Sequence, residues 1–296
     1  MKLSYYPGCS LKTTAKNFDM TTFSVAKALG VELIEPDRWN CCGTVHALTK
    51  DDVMHYLAPL RNLVRVEEMD SMGIVDEKLV VTQCAMCYNT LKRANMVANE
   101  DLDKMEKVRG IMENEPEYSG DVEVIQFLEL LQKMGWDKIQ GRVKKPLKGL
   151  KVVPYYGCLL LRPRGFGIDD PDNPQIFENL LKALGAEVID IPYKMKCCGA
   201  YHTVHMKEVA ADLSHRILKQ AQEARADIVA TACPLCEYNL GDRQDEIKKH
   251  YSRFENIPIV YYTQLMALAY NLEAMGFDQN KPDPRPLLKA RGLLED

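Results

Sequence analysis

Short apolar runs alternate along the chain with longer stretches in which apolar residues recur every three or four positions. The short runs predict buried strands, and the longer stretches predict amphipathic helices. In the first half the predicted strands are 2–6, 31–35, 78–82 and 122–125, and the predicted helices are 14–29, 51–72, one beginning near residue 84, and 127–134. Strands that alternate with helices indicate a parallel sheet with helices on its faces.

The same order of elements returns after a junction at 136–149. The predicted strands of the second half are 150–156, 187–191, 227–231 and 258–262, and its predicted helices are 174–184, 203–224, one that follows 233–236 and runs to about 250, and 263–275. The pattern therefore predicts an α/β protein made of two tandem duplicated units, 1–145 and 146–296. Each unit is a mostly parallel sheet flanked by helices, and the two are related by a pseudo-twofold axis.

Two segments have no predicted counterpart in the other half. Charged residues dominate 99–120, which we interpret as a solvated helix extension or insertion peculiar to the first unit. The tail 277–296 contains three prolines, and we expect either an arm that binds a partner or a loose terminus.

Composition narrows the class of protein. The chain has 296 residues, of which 46% are hydrophobic and 27% charged, as is usual for soluble globular domains. The net charge of −4 lacks the basic excess that is typical of nucleic-acid binding. No apolar stretch approaches the roughly 18 residues that span a bilayer, and the N-terminus does not resemble a signal peptide. We therefore expect a cytoplasmic protein without a membrane span.

Cysteine supplies the candidate chemistry, since all ten cysteines fall into two matching sets of five. Each set reads as a single cysteine, a vicinal pair followed by glycine, and a CxxC motif. The first set is Cys9, Cys41, Cys42, Cys84 and Cys87, and the second is Cys158, Cys197, Cys198, Cys233 and Cys236. Repetition of the whole pattern supports the tandem duplication.

Ten cysteines in a reducing compartment indicate metal binding or redox chemistry rather than structural disulfides. Every cysteine segment follows a predicted strand, so the thiols of each half should converge at the carboxyl edge of its sheet. The side chains of adjacent cysteines point apart, so both can bind the same cofactor only if that cofactor is larger than a single metal ion. An iron–sulfur cluster meets that condition. Zinc in one or both halves and dithiol chemistry at CxxC remain alternatives.

The ten-cysteine pattern resembles the cysteine-rich CCG family, and two such units in one chain resemble the B subunits of heterodisulfide reductases from methanogenic archaea. This resemblance implies two noncubane four-iron four-sulfur clusters, one held by each set of five cysteines. It also implies a small-molecule substrate, the mixed disulfide of coenzyme M and coenzyme B, which is reduced to two thiols. Zinc in the first site is the alternative cofactor.

The resemblance also implies partners. The chain has neither a GxGxxG fingerprint nor a ferredoxin-type cysteine run, so it needs another subunit to deliver electrons. The expected donor is a small ferredoxin-like protein of the same complex, the C subunit, which a flavin-containing protein, the A subunit, supplies with electrons. Related units also occur in other complexes, and an electron-relay subunit of a lactate- or succinate-oxidising complex is the alternative function.

Other residues near the cysteines are candidates for substrate binding and proton transfer. We expect the disulfide to lie between the two sites, with its anionic groups bound by nearby cations. Those cations are Lys12, Arg162, Arg164, Lys194 and Lys196, although each is also explained as a solvated surface charge. His46 and His202 follow the vicinal pairs and are candidate proton donors, although a packed histidine is the simpler interpretation of each.

Overall fold

Two four-stranded sheets, in which all the strands are parallel, form the framework of the computed structural model, which describes residues 1–44, 53–273 and 275–295. The strands of the first sheet are β1 Lys2–Tyr6, β2 Glu32–Ile34, β3 Leu79–Thr82 and β4 Glu123–Gln126, and those of the second are β5 Lys151–Tyr155, β6 Glu187–Val188, β7 Ile228–Thr231 and β8 Ile259–Tyr261. Their spatial orders, β2-β1-β3-β4 and β6-β5-β7-β8, are the same. The predicted fold class is confirmed.

Helices make all the connections between consecutive strands within each sheet. The first half contains α1 Gly8–Thr13, α2 Lys16–Ala28, α3 Met54–Ser71, α4 Ala85–Glu100, α5 Leu102–Ile111, α6 Phe127–Met134 and α7 Trp136–Gln140. The second half contains α8 Ile176–Ala183, α9 Lys207–Glu223, α10 Pro234–Leu240, α11 Gln244–His250, α12 Tyr262–Ala269 and α13 Arg285–Ala290, with short 3₁₀ turns at Ala200–His202 and Phe277–Gln279.

Register brings the carboxyl ends of the central strands to one level. Tyr6 on β1 pairs with Thr82 on β3, and Tyr155 on β5 pairs with Thr231 on β7. All residues of β3 and β7 are buried, as expected for apolar strands that are covered on both faces. The cysteine segments that leave these strand ends therefore start side by side.

The two halves pack through equivalent helices. α2 packs against α12, and α6 packs against α8, so the helix after the first strand of one half contacts the helix after the fourth strand of the other. Across this interface Phe18 stacks on Tyr261 with ring centroids 4.1 Å apart, and the hydroxyls of Thr21 and Thr263 lie 2.7 Å apart. This arrangement is the predicted pseudo-twofold relationship.

The charged stretch 99–120 is mostly exposed, as predicted for a solvated segment, but it is not a simple extension of α4. It contains a separate helix, α5, capped by the Asp101 carboxylate, which accepts a hydrogen bond of 3.0 Å from the Lys104 amide. Met105 and Val108 on α5 are buried. As predicted, the segment is peculiar to the first half: β7 starts 149 positions after β3, but β8 starts only 136 positions after β4, so the first half is 13 residues longer here. In the second half the predicted continuous helix to about 250 is divided into α10 and α11.

The C-terminal tail packs into the core, so the expectation of a loose terminus was wrong, whereas its role as an arm that binds a partner stays a prediction. Phe277, Leu288 and Leu293 are buried, and the Asn280 side chain donates a hydrogen bond of 3.0 Å to the Ile259 carbonyl. The division between residues 145 and 146 stays a prediction. Over the described ranges, no helix is both long and apolar enough to cross a membrane.

Candidate metal centre

The first set of cysteines gathers at the carboxyl edge of the first sheet. Cys9 lies in α1, the vicinal pair follows β2, Cys84 caps α4, and Cys87 lies in its first turn. The Sγ atoms of Cys9 and Cys41 are 3.8 Å apart, and those of Cys42 and Cys87 are 3.5 Å apart. The structure thus brings together thiols that are up to 78 positions apart in the sequence.

The second set repeats this arrangement. Cys233 caps α10, and Cys236 lies in its first turn. The Sγ atoms of Cys198 and Cys236 are 3.5 Å apart, the same distance as in the equivalent pair of the first set. Cys197 accepts a hydrogen bond of 3.3 Å from the Gly199 amide, and its thiol interacts with that of Cys158.

Two glycines let the backbone pass close to the thiols. Gly8 has φ +71°, and a Cβ there would lie 2.9 Å from the Sγ of Cys87. Gly157 has φ +67°, and its Cβ would lie 3.2 Å from the Sγ of Cys236. These positions favour glycine for both space and conformation. A side chain there would intrude on the thiol cluster.

A tyrosine at the end of the first strand fixes the loop that carries each vicinal pair. The Tyr6 hydroxyl donates a hydrogen bond of 2.8 Å to the carbonyl of Asn40, directly before Cys41. The Tyr155 hydroxyl donates one of 2.7 Å to the carbonyl of Lys196, directly before Cys197. Sequence reasoning missed this role, although the tyrosines, like Cys9 and Cys158, are separated by 149 positions.

Thr90 and Asn239 approach the buried thiols from equivalent positions on the CxxC helices. Asn239 Nδ2 lies 3.3 Å from the Cys198 carbonyl oxygen and 3.6 Å from the Cys198 Sγ. The Thr90 hydroxyl is a hydrogen-bond partner of the Cys42 thiol. Asn89, by contrast, donates to the carbonyl of Arg162 in the second half at 2.7 Å.

Proximity and burial shift the pKa values of the thiols in opposite directions. The hydrogen bond with Cys158 lowers the pKa of Cys197 to about 2, and the same contact raises the pKa of Cys158. In the first set, the hydrogen bond with Cys41 lowers the pKa of Cys42. Burial and mutual repulsion oppose the simultaneous deprotonation of clustered thiols, so a site filled with thiolates requires positive charge among them.

The two sets meet at Cys84 and Cys233. The Cys233 thiol is the largest influence on the raised pKa of Cys84, and the amide of Ala85 donates to the carbonyl of Ala232 across the halves at 3.3 Å. At the opposite edge of each set the thiols reach the surface: Cys9 and Cys41 are exposed, and Cys158 and Cys197 are partly exposed. Each site therefore has a buried edge that faces the other site and an open edge.

A cavity of about 190 Å³ adjoins the first set. Its wall includes Cys9, Cys42, Cys84 and Cys87, together with second-half residues that include Glu237, Tyr238, Asp242 and Tyr261. Burial raises the pKa of Glu237 to about 8. Sequence reasoning did not single out Glu237, because its burial beside the first set arises from the packing of the two halves.

Two of the predicted substrate-binding cations are each paired with two carboxylates of the chain. The Lys12 ammonium lies 2.8 Å from Asp19 and also pairs with Glu35. The Lys194 ammonium is buried, 2.6 Å from Glu178 and 2.8 Å from Asp190. These ion pairs give Lys12 and Lys194 a structural role, and their predicted role in substrate binding stays a prediction.

The other predicted residues have different surroundings. Arg164 forms an exposed ion pair with Asp172. Arg162 and Lys196 are exposed and form no ion pair with any residue that the structure describes. His202 is half-buried on the 3₁₀ turn after Gly199, and His46 lies outside the described residues. Their roles in substrate binding and proton transfer stay predictions.

The donor set fits a cofactor larger than one ion. In the described part of the chain, no three histidine, cysteine or acidic side chains are arranged to hold a single metal ion. The close thiol contacts instead come in pairs at 3.5 to 3.8 Å. Bridging two such pairs suits an iron–sulfur cluster, whose cysteine ligands are shared among several irons.

Comparison with known proteins supports this interpretation. The model of the CCG cysteine-rich domain matches residues 3–92 and 152–241. The "8-methylmenaquinol:fumarate reductase membrane anchor subunit" of Wolinella succinogenes is 32% identical over 97% of this chain and 99% of its own. The B subunit of the "Ferredoxin:CoB-CoM heterodisulfide reductase" of Methanosarcina mazei is 29% identical over 94% of this chain and 93% of its own length.

A solved structure shares the fold. A hypothetical protein from Helicobacter pylori superposes with a TM-score of 0.75 at 11% identity. The match covers 94% of this chain and 51% of that one, so this chain spans about half of the Helicobacter pylori protein.

Proposed function

The chain belongs to the CCG cysteine-rich family, and from that premise we propose that it is the disulfide-reducing subunit of an oxidoreductase complex. Cys9, Cys41, Cys42, Cys84 and Cys87 would hold one iron–sulfur cluster, and Cys158, Cys197, Cys198, Cys233 and Cys236 the other. In the finer form of the proposal both are noncubane four-iron four-sulfur clusters, and the substrate is the mixed disulfide of coenzyme M and coenzyme B.

The observation that carries the proposal is the contact between the two cysteine sets. They approach each other at Cys84 and Cys233, yet each keeps an edge open at Cys9 and Cys41 or at Cys158 and Cys197. The open edges give a sulfur compound access to each site. A chain that only relays electrons between partners has no need of such access.

Reduction of a disulfide takes two electrons and two protons and yields two thiols. Iron–sulfur clusters, when bound, supply electrons one at a time, so two adjacent sites match the requirement. The residues of the chain hold the sites in place: Tyr6 and Tyr155 anchor the loops of the vicinal pairs, and Gly8 and Gly157 leave room for the thiols. His202 is the proton-donor candidate among the described residues.

Electrons would come from other proteins of the complex. The direct donor would be a small ferredoxin-like subunit, and a flavin-containing subunit would in turn supply that donor. The Methanosarcina mazei relative is named as part of a ferredoxin-linked heterodisulfide reductase, which supports this arrangement.

The decisive experiment combines metal analysis with site-selective variants. The chain is reconstituted anaerobically, and iron, sulfide and zinc are measured in wild type, Cys42→Ser, Cys198→Ser and the double variant. We expect each single variant to lose about half of the iron and sulfide, the double variant to lose nearly all, and each to lose disulfide turnover with a reduced dye as donor. Zinc without sulfide, or full turnover in Cys198→Ser, would refute the two-cluster proposal.

A second candidate function rests on the Wolinella succinogenes relative, which aligns over nearly its full length and is named as a subunit of a fumarate reductase. In this alternative the two clusters relay electrons to or from a flavoprotein that acts on fumarate or succinate. Activity assays on the isolated native complex distinguish the two candidate functions. Iron-dependent fumarate reduction without disulfide reduction would support the electron-relay function.

A further inference from the structure

Arg93 on α4 carries a positive charge that pairs with no carboxylate among the described residues. It lies six residues after Cys87, and its guanidinium packs over the ring of Phe166, a residue of the second half, 5.9 Å from the ring centroid. The side chain is half-buried, and its Nε atom is buried without a hydrogen-bond partner. Within 1–44, 53–273 and 275–295 the guanidinium forms no ion pair. A partly buried charge without a partner costs stability, so its presence points to a ligand.

The guanidinium lies against the loop that carries Cys158. Phe166 is eight residues after Cys158, and Asn89, one helical turn before Arg93, donates hydrogen bonds of 3.1 and 2.7 Å to the carbonyls of Leu159 and Arg162 in the same loop. Burial and the thiolates of Cys158 and Cys197 raise the pKa of Tyr201 to about 12, and the positive charge of Arg93 opposes this increase. Tyr201 is therefore within electrostatic reach of both the guanidinium and the two partly exposed thiols.

A cavity of about 380 Å³ extends from Arg93 and is large enough for a short organic chain. Tyr56, Met96 and Phe166 give it apolar walls, and Glu100, Asp101 and Lys104 lie along its lining. Lys104 pairs with Asp101 at 3.2 Å. Neither Glu100 nor Asp101 forms an ion pair with Arg93, so the charge of Arg93 is left for a bound group.

The equivalent position in the second half carries the opposite charge. Asp242 lies 149 residues after Arg93, the same separation as Cys87 and Cys236, and it lines the cavity at the first site together with Glu237. The two sites therefore differ in charge although their cysteines match. A mixed disulfide with unequal halves would accordingly bind in one orientation.

We infer that Arg93, packed over the ring of Phe166, forms a subsite for the anionic group of a thiol or disulfide whose sulfur lies at the second site. This inference rests on the proposed function and extends it to a residue that sequence reasoning missed. The ligand class is a sulfur compound with a carboxylate, sulfonate or phosphate on a short chain, which suits the planar donor geometry of arginine.

Calorimetric titration of the reconstituted full chain tests the subsite. The probes are 3-mercaptopropionate, uncharged 2-mercaptoethanol and sulfur-free propionate, and the proteins are wild type, Arg93→Gln, Arg93→Lys and Arg109→Gln. Arg109 is an exposed arginine paired with Glu117 on α5 and serves as the control. We expect wild type to bind 3-mercaptopropionate about tenfold more tightly than 2-mercaptoethanol, as a charge-assisted hydrogen bond would give.

Arg93→Gln should lose this tenfold preference, Arg93→Lys should keep part of it, and Arg109→Gln should keep all of it. Iron content and the visible spectrum should match wild type in every variant. Equal affinity of wild type for the two thiols, or a preference that survives in Arg93→Gln, overturns the subsite and leaves disulfide reduction standing. Arg93-dependent binding of propionate without binding of either thiol supports the anion subsite but counts against disulfide reduction, and no binding of any probe overturns both.

Discussion

The phenol of Tyr155 donates a hydrogen bond of 2.7 Å to the carbonyl oxygen of Lys196, immediately before the vicinal pair Cys197 and Cys198. The pair Tyr6 and Asn40 repeats the contact in the first half. Both tyrosine rings are buried among thiols, and burial followed by the thiolate charges raises both pKa values. The hydroxyl of each tyrosine therefore stays protonated and holds the loop as a donor.

Tyr155→Phe should loosen the Cys197 loop. Loss of one hydrogen bond costs about 1 kcal/mol of unfolding free energy, and we expect faster iron release to a chelator from the reconstituted chain. Tyr270→Phe is the matched control, because the hydroxyl of Tyr270 also donates to a carbonyl, that of Ile139 at 3.2 Å. Equal iron-release rates in the two variants would contradict the role in positioning the loop.

The glycines after the vicinal pairs should differ in their tolerance of alanine. Both have positive φ, +74° at Gly43 and +87° at Gly199, so each substitution costs about 1 kcal/mol in backbone strain. At Gly199 the new Cβ would also lie 2.8 Å from the Cα of Ala210, whereas at Gly43 the nearest atom is the Cβ of Ala58 at 3.4 Å. Urea denaturation should show Gly199→Ala as the more destabilised variant, and equal losses would contradict this packing argument.

Lys194 should matter for stability rather than for substrate binding. Its ammonium and the Glu178 carboxylate are nearly inaccessible, with side chains 8% and 6% exposed, so Lys194→Met leaves a buried charge and should cost about 3 kcal/mol. Lys196→Met, at an exposed position, should cost less than about 0.5 kcal/mol. Denaturant unfolding measures both, and a small loss for Lys194→Met would show that the ion pair contributes little.

His215 should make stability fall at acidic pH. It stacks on Tyr251 with ring centroids 3.5 Å apart, and burial, with Lys219 and Arg216 nearby, lowers its pKa although Asp212 opposes the shift. Because the unfolded chain takes up this proton first, the contribution is present above about pH 6.5 and is lost as the pH falls below it. His215→Phe should reduce the change in unfolding free energy between pH 7.5 and 5.5, and an unchanged difference would contradict the assignment.

The hydrophobic pattern predicted the fold well because the two units alternate strand and helix with short connections. β1 and α6 begin and end at the predicted residues. α1 was missed, since a six-residue helix at a Pro-Gly turn has too few positions to show a period. The tail was misjudged because its prolines suggested a loose segment, whereas Leu288 is fully buried.

The cysteine pattern also predicted which thiols gather, because strand ends in a parallel sheet lie at one edge. The polar surroundings of those thiols depend on tertiary contacts that spacing does not reveal. Lys12 is close to Cys9 in sequence but pairs with Asp19 and Glu35. Arg93 follows the first CxxC motif but lies against Phe166 of the second half, which only the packing of the two units determines.

The stacking of Phe18 on Tyr261 has an evolutionary consequence. In a half-length ancestor with this architecture, the corresponding aromatic surface would have been exposed to solvent unless a second copy of the same chain covered it. Gene fusion would then have turned a symmetric homodimer into a single polypeptide and freed each half to change independently, as the opposite charges of Arg93 and Asp242 illustrate.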